Sequence, residues 1–573
     1  MARLRLNKDH IVAAPGFNRW RVPPASIAIH LCIGSVYAWS IFNPPLTKAL
    51  GVVGAAAGDW ALEDVTRIFS VAIVFLGLSA AIAGKWLEEV GPRMVGVVAA
   101  CLWGGGFAVG GLGILTHQLW LVYVGYGVLG GCGLGLGYVS PVSTLIRWFP
   151  DRRGMAAGMA IMGFGGGAMI AAPMKEALLK LFYRAPERLG AVADLELVTQ
   201  AGRRLARISG EFGGEFSGEF RGELREVVVI SADEGAKLLV HADAGVYQVG
   251  TGSTGVAETF FALGAVYFVI MLIAAFSYRV PAPGWKPEGW TPPDESTATE
   301  RMITTHDVHI DQAHKTPQFY LLWIVLCLNV TAGIGVIGVA KTMITEIFGT
   351  TLPTIVDGAF AATYVTMISV FNMAGRFMWA SASDKIGRKN TYYVFFTLGV
   401  ALYLSIPLAA ARVSASPELV WLIVFYAATM LIFTMYGGGF ATIPAYLADI
   451  FGTKYVGGIH GRLLTAWSTA GILGPLAITS LRARAVQDGI SELAAKVDPA
   501  QFEQSFGAGL EQLPTLVDAK TVTLAKLMAI APPGTQDPTA GLYNSTMFLM
   551  AGLLVLALVA NALVKPVDPK HHV

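Results

Sequence analysis

The sequence predicts an all-α membrane protein of twelve transmembrane helices in two six-helix halves, with two extracytoplasmic inserts. Three observations carry that expectation. Of the 573 residues, 54% are hydrophobic and only 14% charged, where a soluble chain carries roughly a quarter of its residues as charge. Twelve mostly apolar runs reach the roughly twenty residues needed to cross a hydrocarbon core; they lie near 25–46, 66–87, 93–113, 119–145, 154–175, 257–279, 317–343, 358–380, 391–411, 419–445, 457–480 and 541–564. A loop pattern between two of these runs also recurs 296 residues later, the spacing of two six-helix repeats.

The first twenty-four residues are polar and basic, and the run behind them is long enough to span and has no small-x-small cleavage site, so it reads as a retained first helix. Sidedness follows from lysine and arginine in the short loops. With the N-terminus inside, the inner segments hold Arg3, Arg5, Lys8, Arg19, Arg21, Lys85, Arg93, Arg152, Arg153, Lys385, Arg388, Lys389 and Lys454, and the short outer ones hold little besides Lys48 and Arg412. Both termini are expected in the cytoplasm, as for a bacterial cytoplasmic (inner) membrane protein. The divisions that follow are a cytoplasmic N-terminus at 1–24, a first half at 25–279 with an outer insert at 176–256, a cytoplasmic linker at 280–316, a second half at 317–564 with an outer insert at 481–540, and a cytoplasmic tail at 565–573. The linker is polar and rich in proline, at Pro281, Pro283, Pro287, Pro292 and Pro293. Glycine clusters at Gly130-Gly131 and Gly437-Gly438-Gly439 predict bends in helices four and ten.

In the first insert, Leu189, Val192, Leu195, Val198, Leu205 and Ile208 recur at helical spacing and predict a helix over 187–208. A Glu-Phe-x-Gly tetrad follows at Glu211, Glu215 and Glu219 and reads as loop; strand-like pieces at 226–231, 237–241 and 246–249 complete a small helix-plus-hairpin cap. The second insert offers amphipathic stretches at 489–496 and 500–512, joined by Pro499, which predict a lid of short helices.

The same residues narrow the chemistry. Cys32, Cys101, Cys132 and Cys327 all lie inside apolar runs with no second ligand type at metal spacing, so neither a disulfide framework nor a metal site is expected. A net charge of +2 averages regions on different sides of a membrane and gives no support for a nucleic-acid partner. There is no phosphate-binding P-loop, and no nucleophilic triad or paired carboxylates at usable spacing, so no enzyme and no cofactor is expected. Energy must then come from a gradient of substrate or ion.

The repeated loop reads Gly84-Lys85-Trp86-Leu87-Glu88-Glu89-Val90-Gly91-Pro92-Arg93 after helix two, and Ala380-Ser381-Ala382-Ser383-Asp384-Lys385-Ile386-Gly387-Arg388-Lys389 after helix eight. In each, a small residue lets helices approach, an acid four residues on can pair with arginines or a helix N-terminus, and a glycine makes the tight turn. Gly84, Glu88, Gly91 and Arg93, with Asp384, Gly387 and Arg388, are therefore the candidate gate residues, a charge cluster that can hold in one state and release in another. Helices five and eleven echo one another too, opening with Gly154 and Gly158 and with Gly457 and Gly461.

The two loop copies on twelve helices resemble the major facilitator superfamily. The segments IAIHLCIGSVYAWSIFNPP (27–45), WFPDRRGMAAG (148–158), NMAGRFMWASASDKIGRKN (372–390) and GRLLTAWSTAGILGP (461–475) resemble its oxalate:formate antiporter branch. The resemblance covers nearly all the membrane part and leaves out the inserts. It implies alternating-access movement of small carboxylates, by exchange or with protons, and an anion held by an arginine of helix eight and a lysine of helix eleven. The matching arginine is Arg376; helix eleven runs through Thr465, Ala466, Trp467, Ser468 and Thr469 with no cation, a departure that argues against oxalate.

Arg376 also stands out on physical grounds. It lies eight residues before Asp384, roughly 12 Å inside the helix end at 1.5 Å per residue, where an arginine is costly and persists mainly to face a cavity, bind an anion or pair with an acid. One fixed positive charge suits a monocarboxylate such as formate, pyruvate or lactate. Tyr37, Tyr138 and Asn372 are the polar residues expected beside it, and Trp467 the ring that would shrink the site where the family's lysine stands. His30, on a face of helix one with Gly34, Tyr37 and Ile41, is the candidate for proton coupling; a closely packed, hydrogen-bonded histidine is the alternative. Also open are a transporter of another anion or a neutral solute with Arg376 structural, and a membrane sensor that uses the inserts. The bilayer is the expected environment and a monomer the expected state.

Overall fold

The computed structural model describes residues 6–200, 203–210, 220–236, 238–292, 302–506, 508–518 and 522–573. The glutamates of the tetrad, Glu211, Glu215 and Glu219, fall outside them. Among the described residues, twelve helices are long and apolar enough to span a membrane, in two six-helix halves. They cluster into two compact units, Met1–Trp148 with Gly166–Trp285, and Phe149–Gly165 with Lys286–Val573.

In the first unit, helix one is broken. An α-helical stretch Pro23–Gly34 passes into a 3-10 stretch Ser35–Phe42 and then a short turn Asn43–Leu46; Ala38 has non-helical angles (φ −94°, ψ 25°) at the break. Helix two is Leu62–Val90, helix three Pro92–Leu115 and helix six Val256–Ser277. Helix four combines Leu119–Val122, a π-helical stretch Tyr123–Gly130 and Gly131–Trp148. Its irregularity is a π-helical stretch that ends at the Gly130-Gly131 pair. Helix three packs along helix six and helix two along helix four. A closed aromatic cluster of Trp39, Trp103, Phe107, Tyr126 and Phe260 fills the space between helices one, three, four and six.

The first insert is a sheet, which corrects the expected helix over 187–208. Five antiparallel strands, β1 (Arg188–Gly190), β2 (Glu196–Gln200), β3 (Arg203–Gly210), β4 (Phe220–Ile230) and β5 (Gly245–Gln248), lie in the order β1-β5-β4-β3-β2. Alternation in β4 decides the two faces. Val227 joins Leu189, Ala206 and Val246 on one, while Val228 and Ile230 join Tyr247 and pack on Val53, from the loop after helix one, on the other. Residues 238–241, expected as a strand, are bends and coil.

The second unit holds helix seven (Pro317–Phe348), helix eight (Gly358–Ile386), helix nine (Arg388–Ala415), helix ten (Leu419–Phe451), helix eleven (Val456–Leu463, then Thr465–Ala494) and helix twelve (Asn544–Leu563). Helix ten runs unbroken through the Gly437-Gly438-Gly439 run. The expected lid helix over 489–496 is the continuation of helix eleven, and short helices Pro499–Phe506, Leu513–Asp518 and Leu524–Ile530 follow. Helix five, Arg153–Phe182, is divided between the units, its first turns packing with the second.

Candidate functional site

Helix eight begins at Asp357, whose carboxylate accepts from the Phe360 backbone N–H at 2.7 Å and satisfies one of the donors left open at a helix start. Five turns on, Arg376 is completely buried. Its Nε donates to Asn372 Oδ1 at 3.1 Å and its Nη1 to the Ile161 carbonyl at 3.5 Å. The guanidinium lies over the rings of Phe440 and Phe164, 5.3 and 5.8 Å from their centroids. Nη2 is buried and meets no hydrogen-bond partner among the described residues.

Small residues make room for this group. A Cβ at Gly165 would stand 2.9 Å from Arg376 Nε, and one at Gly437 would overlap the Asn372 carbonyl and stand 3.1 Å from Arg376 Cγ. The glycine at 437 on helix ten therefore allows its close approach to helix eight. Trp467 is fully buried, with its ring 4.8 Å from Phe440 and 5.4 Å from Phe164, so the two phenylalanines stand between the indole and the guanidinium. Arg376, Asn372 and Trp467 thus come together in one unit. Phe164 and Phe440 were not singled out in the sequence, where isolated phenylalanines in apolar runs carry no signal.

Tyr37, Tyr138 and His30 belong to the other unit. His30 Nδ1 lies 3.1 Å from the Ser26 carbonyl, and its ring meets Tyr138 edge-on at 5.2 Å. Gly34 is closely packed by a neighbouring helix: a Cβ at Gly167 of helix five would come within 2.7 Å of Gly34 Cα. Helix one turns 3-10 just after Gly34, so His30, Gly34, Tyr37 and Ile41 do not form one continuous α-helical face.

Lys175, not singled out in the sequence, is a second fully buried cation among the described residues. The apolar run expected as helix five ends near 175, which leaves Lys175 at its boundary. The helix instead runs to Phe182, and Lys175 is completely buried. Its Nζ donates to the carbonyls of Ser35 at 2.9 Å and Ala38 at 3.1 Å, over the Phe42 ring at 4.5 Å. The available signal was a lysine with apolar residues on both sides, Ala171 and Ala172 before it and Leu178, Leu179, Leu181 and Phe182 after it.

The duplicated loops turn alike. Gly91 (φ +85°) and Gly387 (φ +86°) each end one helix and start the next, with their N–H groups donating at 3.0 Å to Leu87 and Ser383. The charges differ. Beside the buried Gly84, Glu88 pairs with Arg147 at the end of helix four, while Arg93 donates to the Phe276 and Tyr278 carbonyls and closes the end of helix six. Asp384 accepts from the Gly154 and Met155 backbone N–H groups at 2.8 and 2.9 Å, at the start of helix five, and from Arg388 at 2.6 Å. Arg388 and Arg153 share Asp449, at 3.0 and 2.9 Å. Asp449, an acid closing the apolar run of helix ten, was also missed. Because these acids hold Arg388 and Arg153, Arg376 is not part of the cluster.

Comparison with known proteins identifies the family. The chain is 23% identical over 458 residues to the oxalate:formate antiporter of Oxalobacter formigenes, covering 80% of this chain and 83% of that one. It is 24% identical over 498 residues to apicoplast pyruvate carrier 1 of Toxoplasma gondii, covering 82% and 84%. The crystal structure of the E. coli fucose:proton symporter shares the fold, with a TM-score of 0.51 at 12% identity, over 94% of this chain and 98% of that one. The Major Facilitator Superfamily model matches residues 25–192 and 249–475. This membrane chain, a transporter and not an enzyme, belongs to the Major Facilitator Superfamily.

Proposed function

We propose that the protein moves small carboxylates across a bacterial cytoplasmic membrane by alternating access, with both termini inside and Arg376 as the anion-binding residue. The observation that carries the reading is the state of Arg376: fully buried, without a carboxylate among its described partners, with Nη2 unsatisfied and the cation framed by aromatic faces. An arginine at that depth needs a compensating anion, and a planar carboxylate matches its fork. Phe164, Phe440 and Trp467 supply an apolar wall that suits a short acyl chain. Two relatives named for oxalate, formate and pyruvate point to the same class of substrate. Asp384, Arg388, Asp449 and Arg153 form the contact whose making and breaking gates the cycle, and movement is driven by exchange or by protons.

Arg376→Gln and Arg376→Lys in proteoliposomes test the reading. Loss of a buried charged contact to a ligand costs about 3 kcal/mol, or two orders of magnitude, so labelled pyruvate or formate uptake should fall about a hundredfold in R376Q. Lysine keeps the charge but not the fork and should recover only part of it. Uptake at the wild-type rate and affinity in R376Q would sink the binding role.

A further inference from the structure

Lys175 is a cation that the gate and the Arg376 site leave unused. Seven residues separate it from the end of helix five at Phe182, about 10 Å at 1.5 Å per residue, and its side chain is completely buried. A buried ammonium persists where it is paired or where function requires it. No carboxylate pairs with it among the described residues; two backbone carbonyls and one aromatic face hold it instead.

Those carbonyls belong to Ser35, the first residue of the 3-10 stretch Ser35–Phe42, and to Ala38, the residue with non-helical angles inside it. A 3-10 stretch in mid-helix marks a hinge or a strained segment, and here an ammonium from another helix is fastened across it. Gly167 brings the helices close enough, two turns before Lys175, with its backbone against Leu31 and Gly34. One turn beyond Lys175, a cavity of about 330 Å³ lies between the far ends of helices one and five, lined in part by Ile41, Pro45 and Leu179, with Lys48 and Glu176 as its charged groups. Lys175 does not itself line this cavity, which begins about one helical turn from it.

We propose that Lys175 is a second carboxylate-binding residue of the transporter, and that an anion arriving there takes the ammonium from the Ser35 and Ala38 carbonyls and so unlocks the break in helix one. The exchange is favourable because a carboxylate is a stronger acceptor for an ammonium than a neutral carbonyl. The carbonyls it releases are then free to re-form α-helical bonds, which couples anion capture to a change in helix one. The inference rests on the carboxylate reading of the preceding section and adds a residue on a different helix.

The test uses the full-length purified protein with pyruvate and oxalate as probes, and reads affinity from ligand-induced thermal shifts in wild type, Lys175→Met and Lys175→Arg. Lys175→Met should weaken binding at least tenfold, and Lys175→Arg should stay within threefold of wild type. In wild type alone, Cys32, three residues before Ser35 and buried, should react with N-ethylmaleimide at least threefold faster or slower when pyruvate is added, as read by peptide mass spectrometry. Should Lys175→Met fail to fold, Lys175→Arg and the Cys32 rate decide. Binding by Lys175→Met within twofold of wild type, or a Cys32 rate unmoved by the anion, would overturn the proposal while leaving the Arg376 reading intact. Wild-type protein that binds neither anion would overturn both.

Discussion

At the scale of single residues, Arg376 is held by neutral groups only. Asn372, the Ile161 carbonyl and two aromatic faces orient the guanidinium without neutralising it, so its charge is available to a ligand. The nearest helix is kept close by Gly437, and Gly437→Ala puts a methyl group against Asn372 and Arg376. Overpacking of this kind costs about 1–3 kcal/mol. The expected result is a lower melting temperature in detergent together with weaker pyruvate binding; an unchanged variant on both measures would contradict the packing described. Arg376 and Asn372 were legible in the sequence because a charged or amide side chain within an apolar run has few inexpensive alternatives. Lys175 was not, because Pro173 and the adjacent Glu176 imitate a helix end and leave the lysine at the helix boundary. Trp467 was expected where the family's lysine stands, but the two phenylalanines between it and Arg376 come from distant parts of the chain and have no local signature.

Among the elements, the paired loops show how the same turn serves different charge arrangements. Gly91 and Gly387 occupy backbone angles (φ +85°, ψ 171° and φ +86°, ψ 148°) that are open almost only to glycine, and a side chain there costs about 1–3 kcal/mol. Gly387→Ala should lower the melting temperature and, by displacing Arg388 from Asp384 and Asp449, alter transport rate; an equally stable and active variant would argue against a strained turn. The loops were readable because glycine, acid and base fall at fixed spacing. The partners of the acids were not, since Arg147, Arg153 and Asp449 are remote in sequence. The first insert misled for a different reason. Apolar residues three apart in 187–208 satisfy a helical period, yet the segment contains a hairpin with register Leu197↔Ala206 and Val198↔Leu205. The tail supplies a pH-dependent element. Val573 N–H donates to the Asp307 carbonyl at 2.9 Å, Val308 bridges to His572, and the His572 ring stacks on His306 at 5.0 Å. Burial, then the neighbouring His306, holds the His572 pKa below its ordinary 6.5. A released tail therefore binds a proton more readily than a docked one, so docking is full above about pH 6.5 and weakens as pH falls below it. Hydrogen exchange at residues 305–309 should be slower at pH 7.5 than at pH 5.5 after correction for the intrinsic rate; equal protection would contradict the linkage.

Across the whole molecule, twelve spans in two halves were legible because a bilayer imposes one length and one composition on every helix. Ends were less so: helix five runs seven residues and helix eleven fourteen residues past their expected limits, into segments whose polarity suggested loops. The sequence halves also differ from the compact units, since Phe149–Gly165 precedes the linker yet clusters with the second unit. Asp384, on helix eight, secures that segment by accepting from the N–H groups at the start of helix five, where the helix dipole favours a negative charge. The central claim is that the molecule carries small carboxylates through Arg376. Counterflow in proteoliposomes tests it most directly, with labelled formate, pyruvate, lactate and oxalate beside a neutral sugar, with and without an imposed pH gradient, in wild type and Arg376→Gln. Wild-type vesicles should accumulate one or more carboxylates and exclude the sugar, and R376Q should lose that accumulation; sugar counterflow in wild type, or carboxylate counterflow undiminished in R376Q, would contradict the account.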